Sequence, residues 1–265
     1  MNSCELCLGS RELPLLRKRI ENNLTRIGLT IPEFVNLDPA ERIRAIVKGF
    51  GLSEIQGNVK PPVLDWKLTS GDYGLLIVKP EMYRDSSKVK QFLLSELRLP
   101  IIFSKDFVYS PRQYWAMYGK YYTENFKQFP HGSLMFLIST SLSSRVLVFK
   151  HLDTTSYYET YRYLNQNRNT SIPVTEDRQA IFNTLLIKDP DCGVRKLVCE
   201  SSVRNQGFLC MEEKCPAVCW DFAGEFKQRG ELENLITFNG IHSPRDTDEL
   251  IDNFAVLSEA VKIQL

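Results

Sequence analysis

The segment 43–50 carries apolar side chains at positions i, i+3, i+4 and i+7, the spacing of an amphipathic helix. The segment 37–41, Leu-Asp-Pro-Ala-Glu, supplies start signals just before it: a capping aspartate, a proline at the first helical position and a glutamate at the third. Gly49 and Gly51 supply the stop signal. The pattern therefore predicts a helix that begins at residue 39 and ends at these glycines.

A further helix is expected at 12–27, so the chain begins with a helical segment. The stretch 57–62, Gly-Asn-Val-Lys-Pro-Pro, has the glycine and prolines that are typical of a linker. We therefore place a domain boundary near residue 65, with a helical extension at 1–65 and the main domain at 66–265.

Beyond the linker, strand-like and helix-like patterns alternate. The predicted elements are a strand at 73–78, a helix at 86–97, a strand at 101–109, a helix at 111–129, strands at 133–139 and 145–150, and a helix at 154–165. This order is the βαββαβ pattern of a split βαβ sandwich. The predicted fold class is α+β, a ferredoxin-like antiparallel sheet sandwich with added N-terminal helices.

The segment 171–228 does not continue this pattern, since it holds several prolines and glycines and no sustained period. We interpret it as an insertion in the main domain. It contains five of the seven cysteines. Cys4 and Cys7 could supply half of a zinc site, and Cys210, Cys215 and Cys219 the rest, but the spacings match no standard zinc ribbon. Unligated thiols are the favoured interpretation, and a zinc-stabilised module that docks a partner is the alternative.

Composition is that of an ordinary globular protein, with 43% hydrophobic and 25% charged residues. Thirty-three basic and thirty-two acidic residues leave a net charge of +1, so no overall field favours nucleic acid or a membrane surface. No apolar run reaches the roughly 18 residues of a membrane span, and the N-terminal segment lacks a signal-peptide layout. We expect a cytoplasmic protein without a membrane or nucleic-acid partner.

Candidate chemistry comes from polar residues that are far apart in the sequence. Lys79 ends the first predicted strand, Arg162 lies on the helix before the insertion, Arg229 follows the insertion, and Asn239 precedes His242 by three positions. Cations that neutralise phosphates, together with an imidazole nucleophile, are what a triphosphate site requires. The unperturbed pKa of histidine, about 6.5, leaves a neutral ring available at physiological pH.

Three short elements carry these residues: Val78-Lys79-Pro80, Arg229-Gly230-Glu231-Leu232 and Asn239-Gly240-Ile241-His242. They resemble the nucleoside diphosphate kinase family, in which a strand ending in Lys-Pro, an Arg-Gly-Asp-Phe element and an Asn-x-x-His element form one active site. Arg229 and His242 are thirteen positions apart, as in that family. The resemblance covers roughly residues 73–258, interrupted by the insertion.

The resemblance implies a ping-pong reaction in which His242 takes the γ-phosphate of a nucleoside triphosphate and passes it to a nucleoside diphosphate. Lys79, Arg162 and Arg229 would hold the phosphates, with Thr170 as a further contact. Mg²⁺ would bridge phosphate oxygens and take most of its ligands from the nucleotide and water.

The same resemblance assigns the remaining nucleotide contacts. Tyr114 would lie near His242 and the γ-phosphate, and Asn239 would bond the sugar hydroxyl. Tyr121 would stack on the base, with Ile236 packing beside it.

Two departures from the family pattern concern the neighbours of the histidine. The family follows its histidine with Gly-Ser-Asp, whereas Ser-Pro-Arg-Asp follows here, so Ser243 would have to replace the family's serine. The acid that orients the family's imidazole aligns with Asn253, unless Asp252 or Glu249 moves in.

These departures leave two functions open on one fold: an active phosphotransferase, or a catalytically weak or inactive nucleotide-binding and protein-interaction module. The insertion lies in the loop that the family uses for subunit contacts, so either a homo-oligomer or a protein partner is possible there.

Overall fold

A computed structural model describes two compact units of the chain. The described residues are 13–52, 66–125, 132–166, 174–189, 192–197 and 240–263. Within them, the first unit comprises 13–52, 108–125 and 132–144, and the second comprises 66–107, 145–166, 174–189, 192–197 and 240–263.

Helices account for most of the described secondary structure. In chain order they are α1 (Leu13–Arg26), α2 (Ile31–Asn36), α3 (Pro39–Gly49), α4 (Trp66–Thr69), α5 (Ser86–Ser95), α6 (Pro111–Asn125), α7 (Gly132–Ser139), α8 (Thr154–Leu164), α9 (Arg178–Ile181) and α10 (Thr247–Val261). The strands are β1 (Tyr73–Val78), β2 (Ile101–Phe107), β3 (Ser144–Lys150) and β4 (Ile241–His242). Shorter turns of helix are the 3₁₀ segments Pro80–Asp85 and Val194–Leu197 and the π-helix Phe182–Ile187, which directly continues α9.

The first unit is helical and packs around α7. Every residue of α7 is buried, and the helix contacts α1, α3 and α6. Capping boxes at Thr30 and Asp38 fix the starts of α2 and α3. The guanidinium of Arg42 is fully buried and donates to the carbonyls of Phe34 and Val35 at 3.1 and 2.6 Å. Arg42 thus binds backbone acceptors at the carboxyl end of α2.

The second unit contains a four-stranded antiparallel sheet in the order β2-β3-β1-β4. Tyr73 lies opposite Lys150 and Val78 opposite Arg145, so β1 and β3 pair along their whole common length. The short strand β4 pairs with the other edge of β1. The combination of helices with an antiparallel sheet agrees with the predicted α+β class.

The two faces of this sheet meet different helices. Leu76 and Leu147 belong to a core cluster that includes side chains of α5, α8 and the π-helix. Because successive side chains alternate across a strand, Ile77 and Val146 point to the opposite face. Both are fully buried. Helix α10 contacts β2, α4 and α9 and covers that second face beside β4.

Most elements predicted from periodicity are present within a few residues. The strand predicted at 133–139 is wrong, because this segment is the buried helix α7. A short run of apolar residues that is buried on all sides has no polar face to reveal its period, so a strand and a buried helix give the same pattern.

Part of the segment 171–228, which we interpret as an insertion, packs in a core. Residues 174–189 and 192–197 belong to the second unit, and Ile181, Phe182 and Val194 are part of its core cluster. The predicted single domain at 66–265 differs from the observed grouping as well, because 108–125 and 132–144 belong to the unit of the N-terminal helices.

None of the described helices combines the length and the apolar character that crossing a bilayer requires.

Candidate functional site

Lys79 and His242 lie on neighbouring hydrogen-bonded strands. His242 is the last residue of β4 and pairs with Ile77 of β1, and Ile241 pairs with Val78. The pairing continues beyond the strand, since the Lys79 amide donates to the Gly240 carbonyl at 2.8 Å. The Lys-Pro element and the histidine, which are 163 positions apart in the sequence, therefore meet at one end of the sheet.

Both side chains belong to the same face. The backbone of Lys79 is still extended, with φ −76° and ψ 166°, so the alternation of side chains continues past β1 and Lys79 points to the side of Ile77. His242, opposite Ile77, points to that side too. Such diagonal neighbours on antiparallel strands are about 7–8 Å apart, a separation that a phosphate group can bridge. Both side chains are half-buried.

Asn253 is the polar neighbour of the imidazole on this face. Its Nδ2 lies 3.3 Å from Nε2 of His242. Asn253 is in the second turn of α10 and is buried. The residue that aligns with the family's orienting acid is thus an uncharged amide in contact with the imidazole. An amide offers a donor on one side and an acceptor on the other, so it can bond either protonation state of Nε2.

Ser243 is turned away from this arrangement. Its hydroxyl lies 3.0 Å from Nε2 of Gln179, and its carbonyl accepts from Nδ2 of Asn183 at 2.9 Å. Gln179 also donates to the Pro244 carbonyl at 2.9 Å. The Ser243 hydroxyl therefore contacts α9, whereas the His242 imidazole contacts α10. In this geometry Ser243 does not take the place expected for the family's serine beside the imidazole.

Two further contacts join α9 to its surroundings. The Asp177 carboxylate accepts from the Thr247 amide and hydroxyl at 2.9 and 3.0 Å, and it also caps its own helix at Ala180. Arg178 pairs with Asp72 at 2.8 Å. The Arg178 guanidinium is the main reason that the pKa of Asp72 lies below its ordinary value.

A buried histidine lies beside the same helix. His151 is 6% exposed, and its Nδ1 is 2.5 Å from the Tyr157 hydroxyl. Burial lowers the pKa of His151 to about 4, with Arg178 acting in the same direction. Burial likewise raises the pKa of Tyr157. The ring is therefore neutral near pH 7, and it contributes no charge to the unit's core.

The surroundings of Arg162 and Tyr114 differ from those that the resemblance implies. Arg162 is exposed on the last turn of α8, which packs against the other face of the sheet. Tyr114 is 3% exposed and packs edge-on against Tyr109 and Phe136 of the first unit, with ring centroids 5.6 and 5.5 Å away. A ring that is buried to this extent offers little surface to a nucleotide, so Tyr114 is a core residue of the first unit.

The other predicted contacts remain predictions. Tyr121 is in α6, but its side chain lies outside the described part of the structure. Thr170, Arg229, Ile236 and Asn239 also lie outside the described residues, as do the cysteines proposed for zinc, which are Cys4, Cys7, Cys210, Cys215 and Cys219. Cys192 is described, and its thiol is buried in the core of the second unit.

The residues within the described ranges form no group of three or more His, Cys, Asp or Glu side chains that could hold a metal ion. Mg²⁺ prefers carboxylate and water oxygens in octahedral geometry, so these ranges do not fit a magnesium site built from protein ligands. A magnesium ion carried on nucleotide phosphates does not need such a site.

An open cavity of about 580 Å³ lies in the first unit, beside α1. Arg19, Asn23, Arg26 and Ser141 are among its lining residues, and Arg19 donates to the Ser141 carbonyl at 2.8 Å. Its lining contains none of the predicted site residues whose side chains the structure describes.

Gln179 and Asn183 are the site neighbours that sequence reasoning missed. They are four positions apart and follow Asp177, a good capping residue, so they carry the signal of one helical face. That signal is short, because α9 has only four residues before the π-helix begins.

Comparison of the chain with models of protein families, with curated proteins and with solved structures finds no match. Function is therefore inferred from the geometry of the site.

Proposed function

We propose that the protein is a phosphotransferase that moves a γ-phosphate from a nucleoside triphosphate to a nucleoside diphosphate through a phosphohistidine at His242. The observation that carries the proposal is the presence of Lys79 and His242 as diagonal neighbours on one face of two paired strands. The strand order β2-β3-β1-β4 further supports a ferredoxin-like sandwich, in which the first and third strands of the split βαβ unit are central.

In the first half-reaction, a lone pair of the imidazole attacks the γ-phosphorus. The bond between that phosphorus and the oxygen bridging to the β-phosphate breaks, and the nucleoside diphosphate leaves with the bonding electrons. Since Nε2 faces Asn253, Nδ1 is the nitrogen proposed to attack, and this attack requires the Asn253 amide to turn so that its oxygen, and not Nδ2, meets a protonated Nε2. The Lys79 ammonium would offset the negative charge on the equatorial oxygens as the group moves.

In the second half-reaction, a terminal β-phosphate oxygen of another diphosphate attacks the phosphohistidine. The P–N bond breaks, its electrons return to the ring, and a triphosphate is released. Asn253 would accept from Nε2–H in this cycle if its amide is oriented with the oxygen toward the ring. Magnesium enters as part of the nucleotide substrate.

The amide at Asn253 predicts slow turnover. A carboxylate in that position would stabilise the positive charge that the ring gains when Nδ1 is phosphorylated, whereas a neutral amide offers only a dipole. Arg229 and Asn239 remain proposed phosphate and sugar contacts, and nucleoside tri- and diphosphates are the proposed partners.

The test is transfer of label through the protein. The purified chain is incubated with γ-labelled ATP and Mg²⁺, freed of nucleotide and then mixed with unlabelled GDP. The proposal expects label to leave the protein and to be recovered as GTP. Replacement of Lys79 by Ala should slow labelling at least about tenfold. The control is Lys150→Ala, because Lys150 is an exposed lysine at the other end of the β1–β3 pair, and this substitution should not slow labelling. Equal rates for these two variants would contradict the proposed role of Lys79.

A second candidate function is a nucleotide-binding module that has lost turnover. The specific observations in its favour are the amide at Asn253 and the Ser243 hydroxyl, which bonds Gln179 instead of lying beside the imidazole. Calorimetry with the magnesium complex of ATP separates the two candidates. Binding without transfer of label supports the module, and transfer of label rejects it.

A further inference from the structure

Two buried amide side chains hold the segment that follows His242. Gln179 is fully buried and Asn183 is 2% exposed. Between them they donate three hydrogen bonds to Ser243 and Pro244, at 2.9–3.0 Å. The residue directly after the candidate nucleophile is thus bonded at both its side chain and its carbonyl.

These contacts are unusually specific for a protein core. Burying an amide without a partner is unfavourable, so buried amides are retained where they bond particular acceptors. The Gln179 Nε2 has two acceptors, and the three hydrogen bonds that the two amides donate all go to residues 243 and 244. The Gln179 side chain also lies beside His151 and acts to raise the pKa of that ring.

The backbone around Asn183 is also irregular. Asn183 is the second residue of a π-helix that begins where α9 ends. Such wide turns are rare and occur mostly as single turns, often at functional sites. Here the wide turn contains the residue that bonds the Ser243 carbonyl.

The other end of the same connection is tied to the same helix. The turn 243–247 joins His242 to α10, and α10 carries Asn253, the partner of the imidazole. Asp177 bonds Thr247 at the start of α10. One short helix therefore holds both ends of the turn that sets the position of His242 relative to Asn253.

We propose that Gln179 and Asn183 are positioning residues for His242: they fix Ser243 and Pro244, and thereby hold the imidazole against Asn253 and on the face of Lys79. This inference rests on the proposed function, because positioning matters for chemistry only if His242 reacts. It assigns a role in the site to a segment that the sequence pattern presented as an insertion.

The test compares wild type with Gln179→Met and Asn183→Leu. Both substitutions keep the approximate volume of the side chain and remove its donors, so packing changes little. Thr184→Ala, an exposed residue of the same π-helix, is the matched control. Ser243→Ala is a milder second variant, since it removes only the hydroxyl that bonds Gln179. Melting temperatures identify variants that fold.

Two measurements are made on each folded variant. The first is NMR of the His242 ring, which reports its tautomer and its contact with Asn253, together with amide exchange at 245–247. The second is the rate of labelling by γ-labelled ATP and the nucleotide concentration that gives half the maximal rate.

In Gln179→Met and Asn183→Leu, the proposal expects faster amide exchange at 245–247 and an altered NMR signal of the His242 ring. It also expects the maximal labelling rate to fall about tenfold or more, with little change in the half-saturating nucleotide concentration. Thr184→Ala should behave as wild type. Ring signals and exchange that match wild type in both variants would overturn the proposal, as would unchanged labelling rates in a protein that labels.

Failure of the proposed function gives a different result. If wild type takes up no label, the phosphotransferase proposal fails, while a changed ring signal in the variants still supports positioning of His242 by these two amides.

Discussion

The Asn253 amide lies 3.3 Å from Nε2 of His242, across the face between α10 and β4. In the proposed mechanism, the amide offers a dipole where a carboxylate would orient and stabilise the imidazole through its charge. In the proposed mechanism this dipole is the reason to expect slow chemistry, and Asn253→Asp tests it by replacing only the NH₂ group with an oxygen.

Replacing Asn253 by Asp should speed phosphorylation of His242. The carboxylate would favour the protonated and phosphorylated rings, so the NMR titration midpoint of His242 should rise by about one pH unit or more. The labelling rate should increase about tenfold. The control is Asp252→Asn, because Asp252 is the exposed neighbour of Asn253 on α10. It should alter neither the titration midpoint nor the labelling rate. An unchanged titration midpoint in Asn253→Asp would show that the side chain at position 253 does not act on the ring.

Stability should fall in mild acid because of His151. In the folded chain the pKa of His151 is about 4, below its ordinary value of 6.5, chiefly because the ring is buried. Between these values the unfolded chain binds a proton that the folded chain does not. The folded state therefore loses up to about 3 kcal/mol as pH falls from about 6.5 to about 4.

Chemical denaturation of wild type and His151→Gln across this pH range checks the prediction. Glutamine cannot take up the proton, so the difference in unfolding free energy between the two proteins should shrink as pH falls. A difference that stays constant would mean that His151 titrates normally in the folded chain.

Gly74→Ala should destabilise the sheet of the second unit. A Cβ at Gly74 would overlap the ring of Phe149, its partner on β3, and the edge of His151. Overpacking of this kind costs about 1–3 kcal/mol. Phe149→Leu in the same chain should relieve part of the cost, so a double-mutant cycle measures the overlap directly. Additive effects of the two substitutions would argue against an overlap between a Cβ at position 74 and the Phe149 ring.

Arg42→Ala should destabilise the first unit by about 2–4 kcal/mol, because the Phe34 and Val35 carbonyls lose their buried donor. Arg44→Ala, an exposed arginine on the same helix, should stay within about 0.5 kcal/mol of wild type. Hydrogen exchange of the α2 and α3 amides is the measurement, since it reports on this unit alone. Equal protection in both variants would reject the role of Arg42.

Local patterns made part of this fold predictable. A short apolar run that ends before Lys-Pro identified β1, and the cap at Asp38 identified α3, because short-range physical chemistry determines both. The proximity of Lys79 and His242 was predictable only through the resemblance, since no local rule connects residues so far apart in the chain.

The errors have physical causes as well. Helix α7 looks like a strand because burial on every side removes the polar face that would reveal its period. The role of Tyr114 rests on the resemblance alone, because aromatic residues at helical spacing serve equally well in a core and give no local signal of a ligand contact. Gln179 and Asn183 were hidden because α9 is too short to establish a period before the π-helix widens the turn.

The most direct measurement is a test for an acid-labile, base-stable phosphoryl group on wild type and on His242→Gln after incubation with γ-labelled ATP and Mg²⁺. The account predicts that wild type carries the label, that base leaves it in place and acid removes it, and that His242→Gln has none. Absence of label on folded wild type that binds ATP, or equal labelling of His242→Gln, would contradict a phosphohistidine at His242.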